Sequence, residues 1–231
     1  MRDDICTIPV SEVFEHNDGC PICRMRDTIE ERMTDYILGD AMMEPDVRIE
    51  TNKTGFCEHH YNNMMSRRGR LQLALMLQTH INEINGEIFK KKLFNTDSKK
   101  TGNAKNITDS CFICSKIEWG LSRMIETVYR CYETQKDFRD MFNSQSMFCL
   151  PHYERLLGGA SKRNMKSYYS EFSENLNRIT SEYSKSLYDD LSKYCTMYDY
   201  RSRDGETDWG GSRDAVERTV AFLNGRIYDV Y

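Results

Sequence analysis

The sequence predicts an all-α protein built from two related helical halves. No segment alternates between apolar and polar residues with the period of two that marks a β-strand. Apolar residues instead recur at three- and four-residue steps over long stretches, as on the buried face of a helix. One pattern of cysteine and histidine is also written twice at a nearly constant offset, which indicates an internal duplication.

The repeated pattern is a CxxC followed, about 33 residues later, by FCxxHY. The offset between the copies is 91 residues for the first cysteine and 92 residues for the last cysteine and the histidine. The eight residues are Cys20, Cys23, Cys57 and His60 in the first copy, and Cys111, Cys114, Cys149 and His152 in the second. Three cysteines and one histidine make a full tetrahedral ligand set for structural zinc. We therefore expect each copy to hold one zinc ion with its own four residues, two ions per chain.

Two adjacent histidines compete for the last place in the first set. The register with His152, and the match of Tyr61 with Tyr153, favour His60 as the ligand. His59 is then its exposed neighbour. Cys57 and His60 lie three residues apart, so both fall on one face of the first turn of a helix.

Three other interpretations compete with structural zinc. The cysteines could be buried thiols whose spacing an old duplication preserved. Cys20-Pro-Ile-Cys23 at a helix start is also typical of a thiol-disulfide centre, although the βαβ setting of such centres is missing and the second CxxC has Phe112 in place of proline. An iron-sulfur cluster is less favoured, because clusters are held mostly by four thiolates.

The helices of the first copy can be placed from the periodicity of apolar residues and from the residues that cap or end helices. We predict a short helix capped by Ser11 and a long helix from Cys23 to about Met43 that Pro45 ends. A polar return loop over Asp46–Gly55 then leads to a helix opened by Cys57. A further helix follows Gly69, with Leu77, Ile81, Ile84 and Ile88 as its buried stripe.

The second copy repeats this plan after a polar stretch. We predict helices from about Cys114 to Glu133, from Cys149, and from about Lys162 to Tyr198, then a charged loop and a last helix over Asp214–Asn224. The predicted domains are a first zinc-binding repeat at 1–94, a linker at 95–110, a second repeat at 111–200 and a C-terminal loop and helix at 201–231. The linker has almost no apolar residues.

Composition narrows the class of protein. The 231 residues carry a net charge of -4 with a pI near 5.8, so nucleic acid is an improbable partner. The chain has no apolar leader and no apolar run of about 18 residues, which predicts a cytoplasmic location without membrane contact. Nine cysteines in a reducing compartment are typical of ligands and buried thiols. Cys6, Cys131 and Cys195 lie outside both sets.

No catalytic motif accompanies the cysteine pattern. HExxH, ExxH, GxGxxG, GxxxxGK[ST] and GxSxG do not occur in the sequence. We therefore predict a non-catalytic zinc-binding scaffold that binds an unknown protein or small-molecule partner. The alternative is a thiol-disulfide oxidoreductase or metal-handling protein that uses Cys20 and Cys23.

The motifs resemble a family of uncharacterised bacterial proteins, described as a domain of unknown function, with CPxC near the N-terminus and repeated [GF]-[FL]-C-x-x-H helix starts. The resemblance covers Cys20 to Tyr61 directly and Cys111 to Tyr153 through the internal repeat. It implies paired metal sites and no particular activity.

Overall fold

The computed structural model describes residues 8–89, 96–198 and 208–225, and these residues form an all-α fold, as predicted. No strand occurs among them. The α-helices are α1 Ile8–Phe14, α2 Pro21–Leu38, α3 Pro45–Thr54, α4 Glu58–Ser66, α5 Arg70–Ile84, α6 Asp97–Thr108, α7 Phe112–Thr134, α8 Lys136–Asn143, α9 Leu150–Gly159, α10 Tyr169–Tyr198 and α11 Ala215–Asn224. Short 3₁₀ turns cover Asp40–Met43 and Gly210–Ser212, and a π-helical turn over Asn85–Phe89 extends α5.

The chain divides into two compact units. One unit is Arg26–Leu121, and the other combines residues 1–25 with 122–231. The boundaries between them therefore fall inside α2 and α7. The repeats and linker predicted from the sequence stay a prediction about the order of motifs along the chain, and the compact units follow a different division.

In the unit Arg26–Leu121, the predicted return loop is the helix α3, which packs against α5. Pro45 does not end the preceding helix but stands at the first turn of α3, where its missing N–H costs nothing and its fixed φ suits a helix. Thr51 is the one residue of α3 that is fully buried. A helix with so little apolar surface leaves no periodic signal, and we mistook it for a loop.

The predicted linker also contains a helix, α6, which contacts α3 and the π-helical turn. Thr96 is its N-cap, and the Thr96 hydroxyl accepts a hydrogen bond from the backbone N–H of Lys99. No residue of α6 is buried, so apolar periodicity could not reveal it. Residue 95 lies outside the described residues.

The core of this unit is a continuous apolar cluster that includes two predicted ligands, Cys57 and Cys111. Its buried members are Ile37, Leu38, Ala41, Phe56, Met64, Leu73, Met76, Cys111, Phe112 and Ile113. Of the stripe predicted for α5, Ile88 is buried and Leu77 packs against this cluster, but Ile81 is 52% exposed. The buried residues within α5 itself are Leu73, Met76 and His80. The cysteines thus lie at the edge of a packed core, which holds their backbone in place.

The other unit has an aromatic core. Phe142 lies at its centre, with ring centroids 4.9 Å from Phe148, 5.0 Å from Phe172 and 5.1 Å from Tyr132. Phe14 of α1 completes the cluster at 5.7 Å from Phe142. These contacts join α1, α7, α8 and α10 around the segment that leads into Cys149.

The longest helix, α10, starts at Tyr169 rather than near Lys162, and it buries Phe172, Leu176, Ile179 and Leu187 of the predicted apolar set. The last helix, α11, ends at Gly225, whose φ of +78° is the left-handed conformation that glycine adopts readily. The charged loop predicted before α11 lies outside the described residues at 201–207. Within the part of the chain that the structure describes, no helix is both long and apolar enough to cross a bilayer.

Candidate metal centres

Four helices begin in the same way. Cys20, Cys57, Cys111 and Cys149 each immediately precede the first residue of α2, α4, α7 and α9. Cys57 and Cys149 are N-caps with extended backbone, and Cys111 accepts a hydrogen bond from the N–H of Cys114 at 3.5 Å. The second ligand of each motif stands three residues further on, above the N-cap sulfur. The partial positive charge at each helix N-terminus is favourable for a nearby anionic sulfur ligand.

The first candidate centre, site A, joins the starts of α2 and α9. Its members are Cys20, Cys23, Cys149 and His152, whose ligand atoms all lie within 4.8 Å of one another. Nδ1 of His152 lies 3.6, 3.3 and 3.1 Å from the sulfurs of Cys20, Cys23 and Cys149, and the sulfurs of Cys23 and Cys149 are 3.6 Å apart. Cys23 is half-buried, and the other three residues are buried. Site A is therefore largely closed to solvent.

The second candidate centre, site B, joins the starts of α4 and α7. Its members are Cys57, His60, Cys111 and Cys114, again with all ligand atoms within 4.8 Å. Nδ1 of His60 lies 3.1, 3.2 and 3.4 Å from the sulfurs of Cys57, Cys111 and Cys114, and the sulfurs of Cys57 and Cys114 are 3.8 Å apart. His60 and Cys111 are buried, but Cys114 is exposed. Site B therefore opens to solvent at Cys114.

The eight predicted residues lie in two groups of four, and these groups pair the motifs differently from the prediction. The sequence predicted Cys20 and Cys23 together with Cys57 and His60, but the CxxC of each copy lies beside the CxxH of the other copy. The helix α3 is the physical reason. A ten-residue loop can extend over about 33 Å and return the chain to Cys23. As a helix of 10 residues α3 advances only about 15 Å, whereas α2 with 18 residues advances about 27 Å.

Backbone contacts at each site hold the two helix starts together. Before site B, the N–H of Phe112 donates to the carbonyl of Gly55 at 3.0 Å, and the hydroxyl of Ser110 donates to the carbonyl of Thr54 at 2.8 Å. Before site A, the N–H of Ser146 donates to Oδ1 of Asn17 at 2.5 Å. Both sites are thus positioned by hydrogen bonds between the segments that precede their motifs.

Gly55 has a conformation that the approach to site B requires. Its φ of +57° lies in the left-handed region, and a Cβ at this position would lie 2.7 Å from Nε2 of His80. His80 itself is fixed, because its Nδ1 lies 2.7 Å from the carbonyl oxygen of Asn52. The buried His80 side chain is therefore directly behind Gly55 and leaves no space for a Cβ there.

Of the two adjacent histidines, His60 is the one that lies beside the sulfurs of site B. His60 faces the three sulfurs of site B, and His59 points away with 41% of its side chain exposed. Glu30, however, was missed from the sequence. Its Oε1 lies 2.7 Å from Nε2 of His59 and 3.2 Å from Nε2 of His60. A glutamate inside a predicted helix carries no sequence signal that distinguishes it from a solvated one.

The distances at both sites fit zinc. With Zn–S near 2.3 Å and Zn–N near 2.0–2.1 Å, a tetrahedral centre requires S···S separations of about 3.8 Å and S···N separations of about 3.5 Å. The observed values are 3.6–3.8 Å and 3.1–3.6 Å. A disulfide would need about 2.05 Å. Three sulfurs and one imidazole are also the donor set that soft, tetrahedral ions prefer.

The pKa values of the site A cysteines indicate which sulfurs would lose a proton when a cation binds. Burial acts to raise the pKa of Cys20, but hydrogen bonds from Cys149, Cys23 and His152 outweigh it and hold that pKa well below its usual value. The hydrogen bond with Cys149, together with burial, raises the pKa of Cys23 far above its usual value. The hydrogen bond with Cys20 raises the pKa of Cys149 to about 12. One thiolate therefore forms readily, and the other two sulfurs keep their protons until a cation displaces them.

At site B, too, one cysteine has a lowered pKa and a neighbouring cysteine a raised one. Burial acts to raise the pKa of Cys111, but the hydrogen bond from His60 lowers it to about 6. Burial and the neighbouring Cys111 raise the pKa of Cys114. Burial acts to lower the pKa of His60, but the neighbouring Cys111 sulfur and Glu30 carboxylate raise it to about 10. The site therefore resembles an ion pair that a dication would convert into a coordinated cluster.

Of the cysteines outside both sets, Cys131 is buried on α7, Cys195 is exposed on α10, and Cys6 lies outside the described residues.

The profile of one protein family, described as a family of unknown function (DUF6062), matches residues 1–230. The chain belongs to the DUF6062 family. In the same comparisons, no curated protein and no solved structure matched the chain. Membership in DUF6062 agrees with the resemblance drawn from the motifs and assigns no reaction.

Proposed function

We propose that this DUF6062 protein is a non-catalytic helical scaffold held together by two structural zinc ions. The observation that carries the proposal is the convergence of two helix N-termini at each site with tetrahedral S···S and S···N separations. Each ion would fasten the start of a long helix, α2 or α7, to the start of a short one, α9 or α4. Cys20, Cys23, Cys149 and His152 would hold one ion, and Cys57, His60, Cys111 and Cys114 the other.

The scaffold would present its surface to a protein partner. A pocket lined by Asn52, Glu83 and Asn106 has a volume of about 110 Å³, so this pocket is too small for a typical small-molecule ligand, whose sites measure roughly 300–1,000 Å³. The net charge of -4 opposes nucleic acid as the partner. Six thiolate ligands also require a reducing compartment, which supports a cytoplasmic location.

A second candidate is metal handling or thiol chemistry, and the exposure of Cys114 favours it at site B rather than at Cys20 and Cys23. Cys20 is buried with a relative exposure of 7%, so a disulfide partner would not reach its sulfur. Cys114 is exposed beside Cys111, whose pKa of about 6 gives a thiolate at neutral pH. Such a pair could pass its ion to another thiol protein.

One experiment separates the two candidates. The full chain carrying Cys195→Ser, which removes an exposed cysteine outside both sites, is purified under reducing conditions. Its metal is measured by inorganic mass spectrometry, and its thiols are titrated with a chromogenic disulfide. A structural role predicts about two zinc ions per chain and thiols that react only after denaturation. Metal handling at site B predicts one zinc that resists a competing chelator and one that leaves quickly. A protein without metal and with one fast-reacting thiol would refute both zinc roles and indicate redox chemistry.

A further inference from the structure

A buried carboxylate lies behind the histidine of site B. Glu30 projects from α2 with only 8% of its side chain exposed. Its Oε1 lies 3.2 Å from Nε2 of His60, on the side of the ring opposite to the three sulfurs. The same oxygen lies 2.7 Å from Nε2 of His59. Two neighbouring imidazoles on α4 therefore face one carboxylate oxygen on α2.

Glu30 is buried, so its carboxylate must be stabilised by the groups around it. A buried carboxylate destabilises the folded state unless charged or hydrogen-bonding groups surround it. Nε2 of His60 is itself buried, and no well-aligned hydrogen bond reaches it from the described residues. Glu30 Oε1 is the acceptor placed beside it. A histidine that binds zinc through one ring nitrogen usually donates the N–H of the other to a carboxylate, which fixes the tautomer and the ring orientation.

We propose that Glu30 is the positioning residue of site B: it accepts the Nε2–H of His60, so that Nδ1 is the nitrogen presented to the ion. His59 completes the arrangement by holding Oε1 from the solvent side. The inference rests on the proposed metal role of site B and adds a residue from a third helix, α2, to that site. Metal binding at the starts of α4 and α7 would then also hold α2 in place.

Site A offers an internal comparison. Glu30 stands ten residues after Cys20, the first cysteine of the CxxC that opens α2. The residue ten positions after Cys111 on α7 is Leu121, which is buried and apolar. The carboxylate is therefore a property of one copy of the pattern and not of both. Removing it should weaken one ion and leave the other unchanged.

The test uses the full chain with Glu30→Ala, Glu30→Gln and, as matched control, Glu31→Gln, since Glu31 is an exposed neighbour on the same helix. Zinc affinity is measured by competition with a chromophoric chelator, and folding is checked by circular dichroism. Glu30→Ala should weaken one of two ions by about 10–100-fold. Glu30→Gln should recover part of the loss, because its amide oxygen still accepts the bond. Glu31→Gln should match the wild type.

A spectroscopic readout separates positioning from general loss of stability. With Co²⁺ in place of zinc, the exchangeable Nε2–H of a bound histidine gives a shifted proton resonance. Two such signals are expected in the wild type, and Glu30→Ala should lose one by fast exchange with water while Co²⁺ remains bound at saturating concentration. Unchanged affinity and both signals in Glu30→Ala would overturn the inference, and so would a third ion per wild-type chain, because Glu30 would then be a ligand. A wild-type chain that binds no zinc would refute the proposed function instead.

Discussion

Replacing two cysteines of one site by serine should remove one metal ion, whereas replacing one cysteine in each site should remove both. Cys57→Ser combined with Cys114→Ser affects site B alone, because these sulfurs are 3.8 Å apart. Cys57→Ser combined with Cys23→Ser affects both sites, because Cys23 belongs with Cys149 at 3.6 Å. Pairing in sequence order gives the opposite result for each double variant.

The size of the effect follows from the linkage of binding to folding. An ion present at about 1,000 times its dissociation constant stabilises the folded state by about 4 kcal/mol. Losing it from a unit of about a hundred residues, such as the one that holds site B, should lower Tm by on the order of 15–30 °C. The second substitution in the same site should add little, because the ion has already left. A substitution in the other site should add a loss of its own.

The assay is metal content per chain by mass spectrometry, followed by calorimetry on the same samples. Cys57→Ser with Cys114→Ser should retain about one ion per chain, and Cys57→Ser with Cys23→Ser should retain none. Cys195→Ser is the matched control, since Cys195 is exposed and outside both sites. Retention of one ion by the Cys23 and Cys57 double variant, with none in the Cys57 and Cys114 variant, would refute the crossed pairing.

Three further predictions concern the surroundings of the sites. Gly55→Ala should lower the free energy of unfolding by about 3 kcal/mol, because the φ of this residue is positive and the added Cβ would clash with His80. Gly102→Ala is the control, since the space around Gly102 is open and no destabilisation is expected. Urea unfolding measures both variants, and equal effects would contradict the reasoning. Phe142→Ala should cost about 3–5 kcal/mol by leaving a cavity in the aromatic core, seen as a lower denaturation midpoint with site B still loaded. Zinc binding at site A should release at least two protons at pH 7, because two of its thiols have raised pKa values. The zinc affinity should then fall on the order of 100-fold for each pH unit of acidification. Calorimetry in buffers of different ionisation enthalpy measures the number of protons released, and fewer than two would contradict the prediction.

The residues of the two candidate sites could be selected from the sequence because coordination chemistry restricts the residue types and spacings that suit a metal ion. A CxxC or CxxH at a helix start places two donors on one turn, whatever the rest of the fold does. The all-α class followed from the apolar periodicity of α7 and α10. These features depend on local geometry, which the sequence encodes directly.

The pairing of the ligands was not predictable, because it depends on helices without an apolar face. The sequence of Asp46–Gly55 is polar and indicates a loop. Only the observed helix α3 explains why Cys57 does not lie beside Cys23. α6 was hidden for the same reason. Both helices pack against other elements, α3 against α5 and α6 against α3, and contacts of this kind leave no apolar periodicity in the sequence. Glu30 likewise acquires a role only when α4 packs beside α2.

The crossed arrangement also sets an order of assembly during synthesis. The donors of site B span little more than fifty positions, from Cys57 to Cys114 at 57 apart, whereas Cys23 must wait for Cys149, 126 residues later. A ribosome therefore finishes the inner set first, and the inner unit can fold while the opening CxxC is still without its counterpart. During that interval the opening pair is a chelating dithiol, and an ion captured there keeps open coordination positions until Cys149 and His152 are made.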